Sequence, residues 1–150
     1  EQIEHLRVSA HFLIDRLGSV TQFVSCDHRA WHAGQSSWHG RANCNDFSLG
    51  IELEGTDTTP YEIAQYSALA LLTTALLTRY PNLHSQNIVG HSDIAPGRKT
   101  DPGPAFDWTR YRDQLVALLD PNLADTPLRR VGISTSAASA DLPANPKCSA

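Results

Sequence analysis

The sequence predicts an α/β domain with a central mixed β-sheet flanked by helices. Three observations support this prediction. β-Branched and aromatic residues dominate 6–14 and 19–25, residues 47–54 alternate between apolar and polar side chains, and residues 60–79 carry apolar side chains at helical spacing. A chain of 150 residues is long enough for one domain with its own core, and we place that domain at residues 1–120.

The first two runs are expected to form an antiparallel hairpin. The turn Asp15–Gly18 joins them, and its glycine suits the left-handed position of a tight turn. Residues 26–46 hold tryptophans, histidines, glycines and asparagines without a clear period, which is typical of a long functional surface loop. The alternation in 47–54 predicts a half-buried strand. Its apolar face would comprise Phe47, Leu49, Ile51 and Leu53.

The next element is a long helix over about residues 60–79. Thr59 is in place as the N-cap, Pro60 suits the first helical position and Glu62 closes a capping box. Pro81 then prevents the helix from continuing.

The remaining elements are shorter. Residues 87–90 predict a short strand, and Asp107 predicts the cap of a second helix that ends before Pro121. Residues 121–150 are rich in Ala, Ser, Pro and Thr, which predicts a poorly ordered tail rather than a second domain.

Composition argues against several classes of partner. The net charge is −4 without a block of basic residues, so neither nucleic acid nor an anionic membrane is favoured. No apolar run is long enough to span a membrane. Cys26, Cys44 and Cys148 lack a C-x-x-C spacing, which favours a reducing compartment. With no export signal apparent, we expect a cytoplasmic protein; the sequence does not indicate an oligomeric state.

Metal-binding residues are expected in the segment 91–104. Its two glycines and three prolines argue against helix or central strand, so we expect a rigid loop. Such a loop can bring His91 and Asp101 toward one point, as a metal site requires. Each residue also has a structural alternative: His91 as a hydrogen-bonded histidine, and Asp101 as the cap of a turn.

Lys99 lies two residues before Asp101, and side chains two apart in an extended segment project to the same side. If Asp101 binds a cation, the Lys99 ammonium would share its cavity and favour an anionic transition state. The alternative is an ordinary surface salt bridge.

Two further segments carry residues that could take part in catalysis or ligand binding. Glu52 and Glu54 share the polar face of their strand, where one could accept a proton from metal-bound water, or both could be solvated. Trp31 to Gly34 place an aromatic ring and an imidazole beside a glycine, which suggests the wall of a ligand cleft or simple loop packing. His11, within an apolar strand, is expected to be structural.

Four motifs carry a resemblance to a known family. They are VSAHFLI at 8–14, RAWHAG at 29–34, CNDFSLGIELEGTD at 44–57 and GHSDIAPGRKTDPGPAFDW at 90–108. With these motifs the chain, over about residues 4–112, closely resembles the AmpD-type N-acetylmuramoyl-L-alanine amidases. These zinc enzymes of peptidoglycan turnover are related in fold to the peptidoglycan recognition proteins.

The resemblance implies a zinc ion, Zn2+, held by two histidines and one aspartate, with water in the fourth position. His91 matches the second histidine and Asp101 the aspartate. Glu52 matches the base that deprotonates the water and later protonates the leaving amine, and Lys99 matches the residue that stabilises the oxyanion.

The implied substrate is a soluble anhydro-muropeptide of cell-wall recycling, cleaved between N-acetylmuramic acid and L-alanine. Arg98, Trp31 and His32 would contact it, since an arginine fork suits a peptide carboxylate.

One feature departs from the family pattern. The first zinc histidine of the family lies in a motif of the form hydrophobic-hydrophobic-His-Asn, and the sequence has no such motif. Two alternatives to a competent amidase therefore stay open: a non-catalytic muropeptide-binding module, and an inactive fragment that holds no metal until an N-terminal part is restored.

Overall fold

The computed structural model describes residues 9–120. A three-stranded mixed sheet lies at its centre, in the order β2-β1-β5. β1 (Phe12–Ile14) pairs antiparallel with β2 (Val20–Gln22) and parallel with β5 (Ile51–Leu53). The predicted hairpin is confirmed in these residues, and Gly18 in its turn has a φ of 83°. Residues 6–8 of the predicted first strand, and the predicted tail 121–150, lie outside the described range.

The loop predicted at 26–46 contains some regular structure. β3 (Ser37–Trp38) and β4 (Arg41–Ala42) form a small second hairpin, and a single 3-10 turn covers Cys44–Asp46. The strand predicted at 47–54 is shorter than expected, because Phe47 still closes that turn through its N–H and the carbonyl of Cys44.

The long helix α1 spans Ile63–Arg79 and begins about three residues later than predicted. Thr59 does not cap it, because the Thr59 N–H and hydroxyl both bond to the Thr56 hydroxyl. Instead the buried Gln65 fixes the start: its Oε1 accepts the Glu62 N–H at 3.0 Å, and its Nε2 donates to the Glu54 carbonyl at 2.9 Å.

Two predictions after α1 are wrong. Residues 87–90 form no strand: Ser85–Asn87 is a 3-10 turn, and the Gly90 N–H donates to Asp93 Oδ2 rather than to a neighbouring strand. The segment 91–104 was predicted to contain no helix, but its first four residues form a single helical turn, α2 (His91–Ile94). Its four residues precede the first proline of the segment, so nothing in them opposes the turn.

The last helix, α3 (Trp108–Leu119), agrees with its prediction, since Asp107 Oδ1 accepts the Arg110 N–H at 2.9 Å. It packs against α1, and the Tyr111 hydroxyl donates to the Thr73 hydroxyl at 2.9 Å. The core between these layers comprises Ile14, Tyr66, Leu69, Ala70, Phe106, Tyr111 and Leu115. Among residues 9–120, no helix is both long and apolar enough to cross a membrane.

His11 is structural, as expected. Its Nδ1 accepts the Gly50 N–H at 3.0 Å, and its Nε2 lies 3.0 Å from the His28 carbonyl. The buried imidazole therefore ties β1 to the start of β5 and to the loop that follows β2.

Candidate functional site

Three of the predicted residues influence the pKa of the fourth, Glu52. Glu52, in the middle of β5, has a raised pKa, chiefly because protein atoms around it reduce its hydration and next because of the Asp101 carboxylate. Electrostatic contributions from His91 and Lys99 oppose this rise. The Glu52 side chain is nevertheless exposed to solvent. The structure thus places an exposed carboxylate within electrostatic range of the three residues predicted from 91–104.

The structure also distinguishes the two glutamates. Glu54 Oε2 accepts the Arg16 N–H at 2.9 Å, in the turn between β1 and β2. That bond directs Glu54 to the hairpin, whereas Glu52 shares the charges of His91 and Asp101. Glu52 is therefore the carboxylate of β5 that belongs to the candidate site.

His91 lies between two oxygen atoms. Its Nδ1 is 3.1 Å from Asp101 Oδ2, and its Nε2 is 3.0 Å from the Ala33 carbonyl oxygen. A neutral imidazole has one N–H and cannot donate to both oxygens. Arg98 Nη2 also lies 3.3 Å from Nε2. Two arrangements therefore satisfy the ring: the proton lies on Nδ1 and faces Asp101, or the proton lies on Nε2 and a metal ion lies between Nδ1 and Asp101 Oδ2.

An imidazole nitrogen and a carboxylate oxygen are donors that zinc accepts. His91 and Asp101 fit this role as a pair, since their side chains already approach each other. Within residues 9–120 no group of three or more His, Cys, Asp or Glu side chains could hold a metal. The described residues therefore supply two ligands and not a complete three-ligand site.

Arg98 holds the loop beside His91. Its Nη2 donates to the Ala33 carbonyl at 2.6 Å and its Nε to the Gln35 carbonyl at 3.0 Å. Gly34 leaves room for this contact, because a Cβ there would lie 3.2 Å from the guanidinium. Two of the Arg98 donors are thus engaged with main chain, and its contact with substrate stays a prediction.

Comparison with known proteins identifies the family. The model of the N-acetylmuramoyl-L-alanine amidase family matches residues 1–104. The chain belongs to this amidase family. The 1,6-anhydro-N-acetylmuramyl-L-alanine amidase AmpD of Citrobacter freundii is 61% identical over 120 residues, which are 80% of this chain and 62% of that protein. AmpD of Escherichia coli K12 is 62% identical over 111 residues, 74% of this chain and 60% of that protein.

Solved structures of amidases resemble the chain as well. A crystal structure of a selenomethionine AmpD derivative superposes with a TM-score of 0.72 at 62% identity, covering 74% of this chain and 62% of that one. The E. coli amidase AmiD, in complex with anhydro-N-acetylmuramic acid-L-Ala-D-gamma-Glu-L-Lys, superposes with a TM-score of 0.67 at 38% identity, covering 72% and 48%. The predicted family and fold class are confirmed. The chain spans about 60% of the length of the AmpD proteins it matches.

In this amidase domain, Trp31 and His32 behave differently from each other. Trp31 is half exposed, and the Arg29 guanidinium lies 3.7 Å from the centre of its ring. The His32 ring packs against Gly50, where a Cβ would lie 2.3 Å from its Cγ. Burial and, to a smaller extent, the His11 charge lower the His32 pKa to about 4, so the ring is neutral at neutral pH. Trp31 is exposed enough to contact a ligand, whereas the His32 ring is packed against Gly50.

The segment around Lys99 is not extended as predicted. The N–H groups of Arg98 and Lys99 both donate to the Ala95 carbonyl, in a turn that follows α2. The same-side argument from residue spacing is therefore wrong in its premise, although the Lys99 charge still affects the pKa of Glu52.

Asp57 is a site residue that the sequence patterns did not reveal. It accepts a short hydrogen bond from the hydroxyl of Thr100, and its carbonyl accepts the Ala105 N–H at 3.2 Å. Gly103 (φ 76°) lies so close that a Cβ there would be 2.5 Å from Asp57 Cβ. Asp57 therefore anchors the stretch that carries Lys99 and Asp101. Its place at the end of the motif at 44–57 was the available signal.

A cavity of about 360 Å3 opens elsewhere, between the loop 26–29 and the C-terminal end of α1. None of the predicted site residues lines it. The candidate site is instead the open surface formed by β5, the loop 31–35 and the segment 91–101.

Proposed function

We propose that this domain hydrolyses the amide bond between 1,6-anhydro-N-acetylmuramic acid and L-alanine in muropeptides, using zinc. The observation that supports the proposal is the 3.1 Å contact between His91 Nδ1 and Asp101 Oδ2, together with the effect of Asp101, His91 and Lys99 on the pKa of the exposed Glu52. The high identity to AmpD proteins supports the same reaction and substrate. The AmiD complex, whose ligand is an anhydro-muropeptide, supports the substrate class.

Glu52 is the general base and then the general acid. Its raised pKa makes it a stronger base than an ordinary carboxylate and a better proton donor once protonated. It takes a proton from the attacking water and returns it to the nitrogen of the leaving L-alanine. Its exposure lets water reach the carboxylate.

Lys99 is the charge partner of the oxyanion. Its positive charge acts on the nearby Glu52, which supports a role in stabilising negative charge that develops on the carbonyl oxygen during attack. The turn at Ala95 and the anchor at Asp57 fix the main chain on either side of it.

His91 and Asp101 would hold the zinc ion, together with a ligand that residues 9–120 do not supply at this point. When bound, zinc would polarise the carbonyl and lower the pKa of water. Trp31 and Arg98 would contact the muropeptide at the edge of the site. We include in the proposal that the reaction serves peptidoglycan recycling and takes place in the cytoplasm.

The decisive experiment is chromatography of an anhydro-muropeptide after incubation with the zinc-supplied protein. We expect release of the free peptide. Glu52→Gln should reduce the rate by about 100-fold to 10,000-fold, the usual contribution of a general base. Glu54→Gln, a matched change two residues away, should leave the rate nearly unchanged because Glu54 is bound to the hairpin. Unchanged turnover in Glu52→Gln would remove Glu52 as the base.

A muropeptide-binding module without activity is the second candidate. It is favoured by the two-ligand count within residues 9–120. Zinc content and product release separate the candidates. Binding of the muropeptide with no peptide released, at any zinc concentration, would establish the module and refute the amidase.

A further inference from the structure

The Tyr61 hydroxyl makes a contact that the proposed mechanism does not use. Tyr61 lies just before α1, and its hydroxyl donates to the Pro102 carbonyl at 3.2 Å, across 41 positions of the chain. Proline has no N–H, so the carbonyl is the main-chain group through which a hydrogen bond can hold Pro102. Pro102 directly follows Asp101. The hydroxyl of Tyr61 thus bonds to the main chain next to a residue of the candidate site.

The Tyr61 ring is itself fixed by its neighbours. The ring of Phe106, a core residue, packs against it in an edge-to-face arrangement with 5.5 Å between the ring centres. Gly55 also contacts the ring, because a Cβ at that glycine would lie 3.0 Å from Tyr61 Cε1. The hydroxyl therefore belongs to a rigid ring that is packed on the core, and it can impose a fixed position on the main chain that it contacts.

The Tyr61 side chain also lies within electrostatic range of the site. Burial raises its pKa, the Asp57 carboxylate raises it next, and the charges of Asp101 and Glu52 contribute as well. The hydroxyl therefore keeps its proton at neutral and mildly alkaline pH, and it remains a hydrogen-bond donor.

The main chain at Asp101 is held from several directions. The Asp101 carbonyl accepts the Ser92 N–H at 3.0 Å, and the residue before Asp101 donates its hydroxyl to Asp57. Tyr61 bonds to the residue after it. We propose that Tyr61 is a positioning residue: by holding the Pro102 carbonyl, it fixes the main chain of Asp101 and so keeps that carboxylate at His91. The purpose of this contact rests on the proposed function, but its first test does not.

Hydrogen exchange of the Ser92 amide in the metal-free protein measures how firmly Asp101 is held, because this N–H bonds to the Asp101 carbonyl. Tyr61→Phe keeps the ring and removes the hydroxyl. In this variant Ser92 exchange should become faster by about 5-fold, which corresponds to about 1 kcal/mol, the usual contribution of one hydrogen bond.

Tyr66→Phe is the matched control. The Tyr66 ring packs edge-to-face on Tyr61, but its hydroxyl accepts the Asp107 N–H at 2.7 Å, outside the stretch that carries Asp101. Tyr66→Phe should lose a similar amount of global stability in urea denaturation and leave Ser92 exchange unchanged. A purely structural role of Tyr61 would instead make the two variants behave alike.

The effect on catalysis is measured in the zinc-supplied protein. Tyr61→Phe should lower kcat by about 10-fold, as expected for a residue that orients a ligand through another group. KM should change by less than about 2-fold, because no contact with the muropeptide is removed. Tyr66→Phe should change neither constant.

An unprotected Ser92 amide in the wild type would overturn the proposal without any variant, which matters if Tyr61→Phe does not fold. Equal acceleration in Tyr61→Phe and Tyr66→Phe, no acceleration in Tyr61→Phe, or an unchanged kcat in Tyr61→Phe would overturn it too. If the wild type releases no peptide and yet Ser92 exchange responds as expected, the proposed function fails and the positioning role stands. Peptide release with unchanged Ser92 exchange in Tyr61→Phe would refute the positioning role and leave the proposed function standing.

Discussion

Acidification should destabilise this fold through His32. Its ring is partly buried against Gly50, and its pKa falls from the ordinary 6.5 to about 4. Above pH 6.5 the ring is neutral in both the folded and the unfolded chain, so this ring makes the free energy of unfolding independent of pH there. As the pH falls from 6.5 to about 4, the unfolded chain takes up the proton first, and the free energy of unfolding decreases.

The size of the effect follows from the two pKa values. A difference of about 2.5 pH units corresponds to about 3 kcal/mol at 1.36 kcal/mol each. Solvent screening at the partly exposed ring lowers this to about 2 kcal/mol. That is a large share of the stability of a small domain, which is about 5–15 kcal/mol.

Urea denaturation followed by tryptophan fluorescence measures it at a series of pH values. The wild type is compared with His32→Asn, which cannot titrate, and with His28→Asn, which removes an exposed imidazole. His32→Asn loses packing at every pH, but its loss relative to the wild type should shrink by about 2 kcal/mol between neutral pH and about pH 4. His28→Asn should follow the wild type. A constant gap between His32→Asn and wild type would refute a buried, neutral His32.

Three shorter predictions concern the core and the site. Tyr111→Phe should cost about 1 kcal/mol in urea denaturation, because Thr73 keeps its bond to the Leu69 carbonyl; no loss would mean that the buried hydroxyl pair does not form. Asp57→Ala should lower kcat/KM by about 10-fold to 100-fold, whereas Asp57→Asn, which still accepts from Thr100, should retain most activity. Glu52→Gln should raise the melting temperature at neutral pH, because the ionised carboxylate is penalised there, and this gain should vanish in acid; equal melting temperatures at neutral pH would contradict the raised pKa.

Local chemistry explains which elements were predictable. The hairpin and the cap of α3 depend on residues adjacent in sequence, such as Gly18 and the Asp107 carboxylate. The start of α1 was misplaced because Gln65 bonds to the Glu54 carbonyl, a contact that no local pattern reveals. Residues 87–90 resemble a strand in composition, but local hydrogen bonds to Ser85 and Asp93 take two of their main-chain N–H groups.

The candidate site combines ionisable side chains, which the sequence displays, with main-chain contacts, which it does not. Glu52, His91, Lys99 and Asp101 have ionisable side chains whose chemistry is visible in the sequence. Ala33 contributes only a carbonyl oxygen, and an alanine gives no sign of that role. Choosing between Glu52 and Glu54 likewise required the contact of Glu54 with Arg16.

The carbonyl of Ala33 also determines when during folding the site can form. Its bonds reach His91 and Arg98 across 58 and 65 positions, and the Asp57 anchor crosses 43 positions to Thr100. Contacts at such separations carry a large loop-closure cost and form after the local hairpin and α1. During synthesis, a chain that has emerged only as far as α1 has Glu52 but nothing to bring it to His91. The candidate site therefore cannot assemble until the segment at 91–101 has left the ribosome.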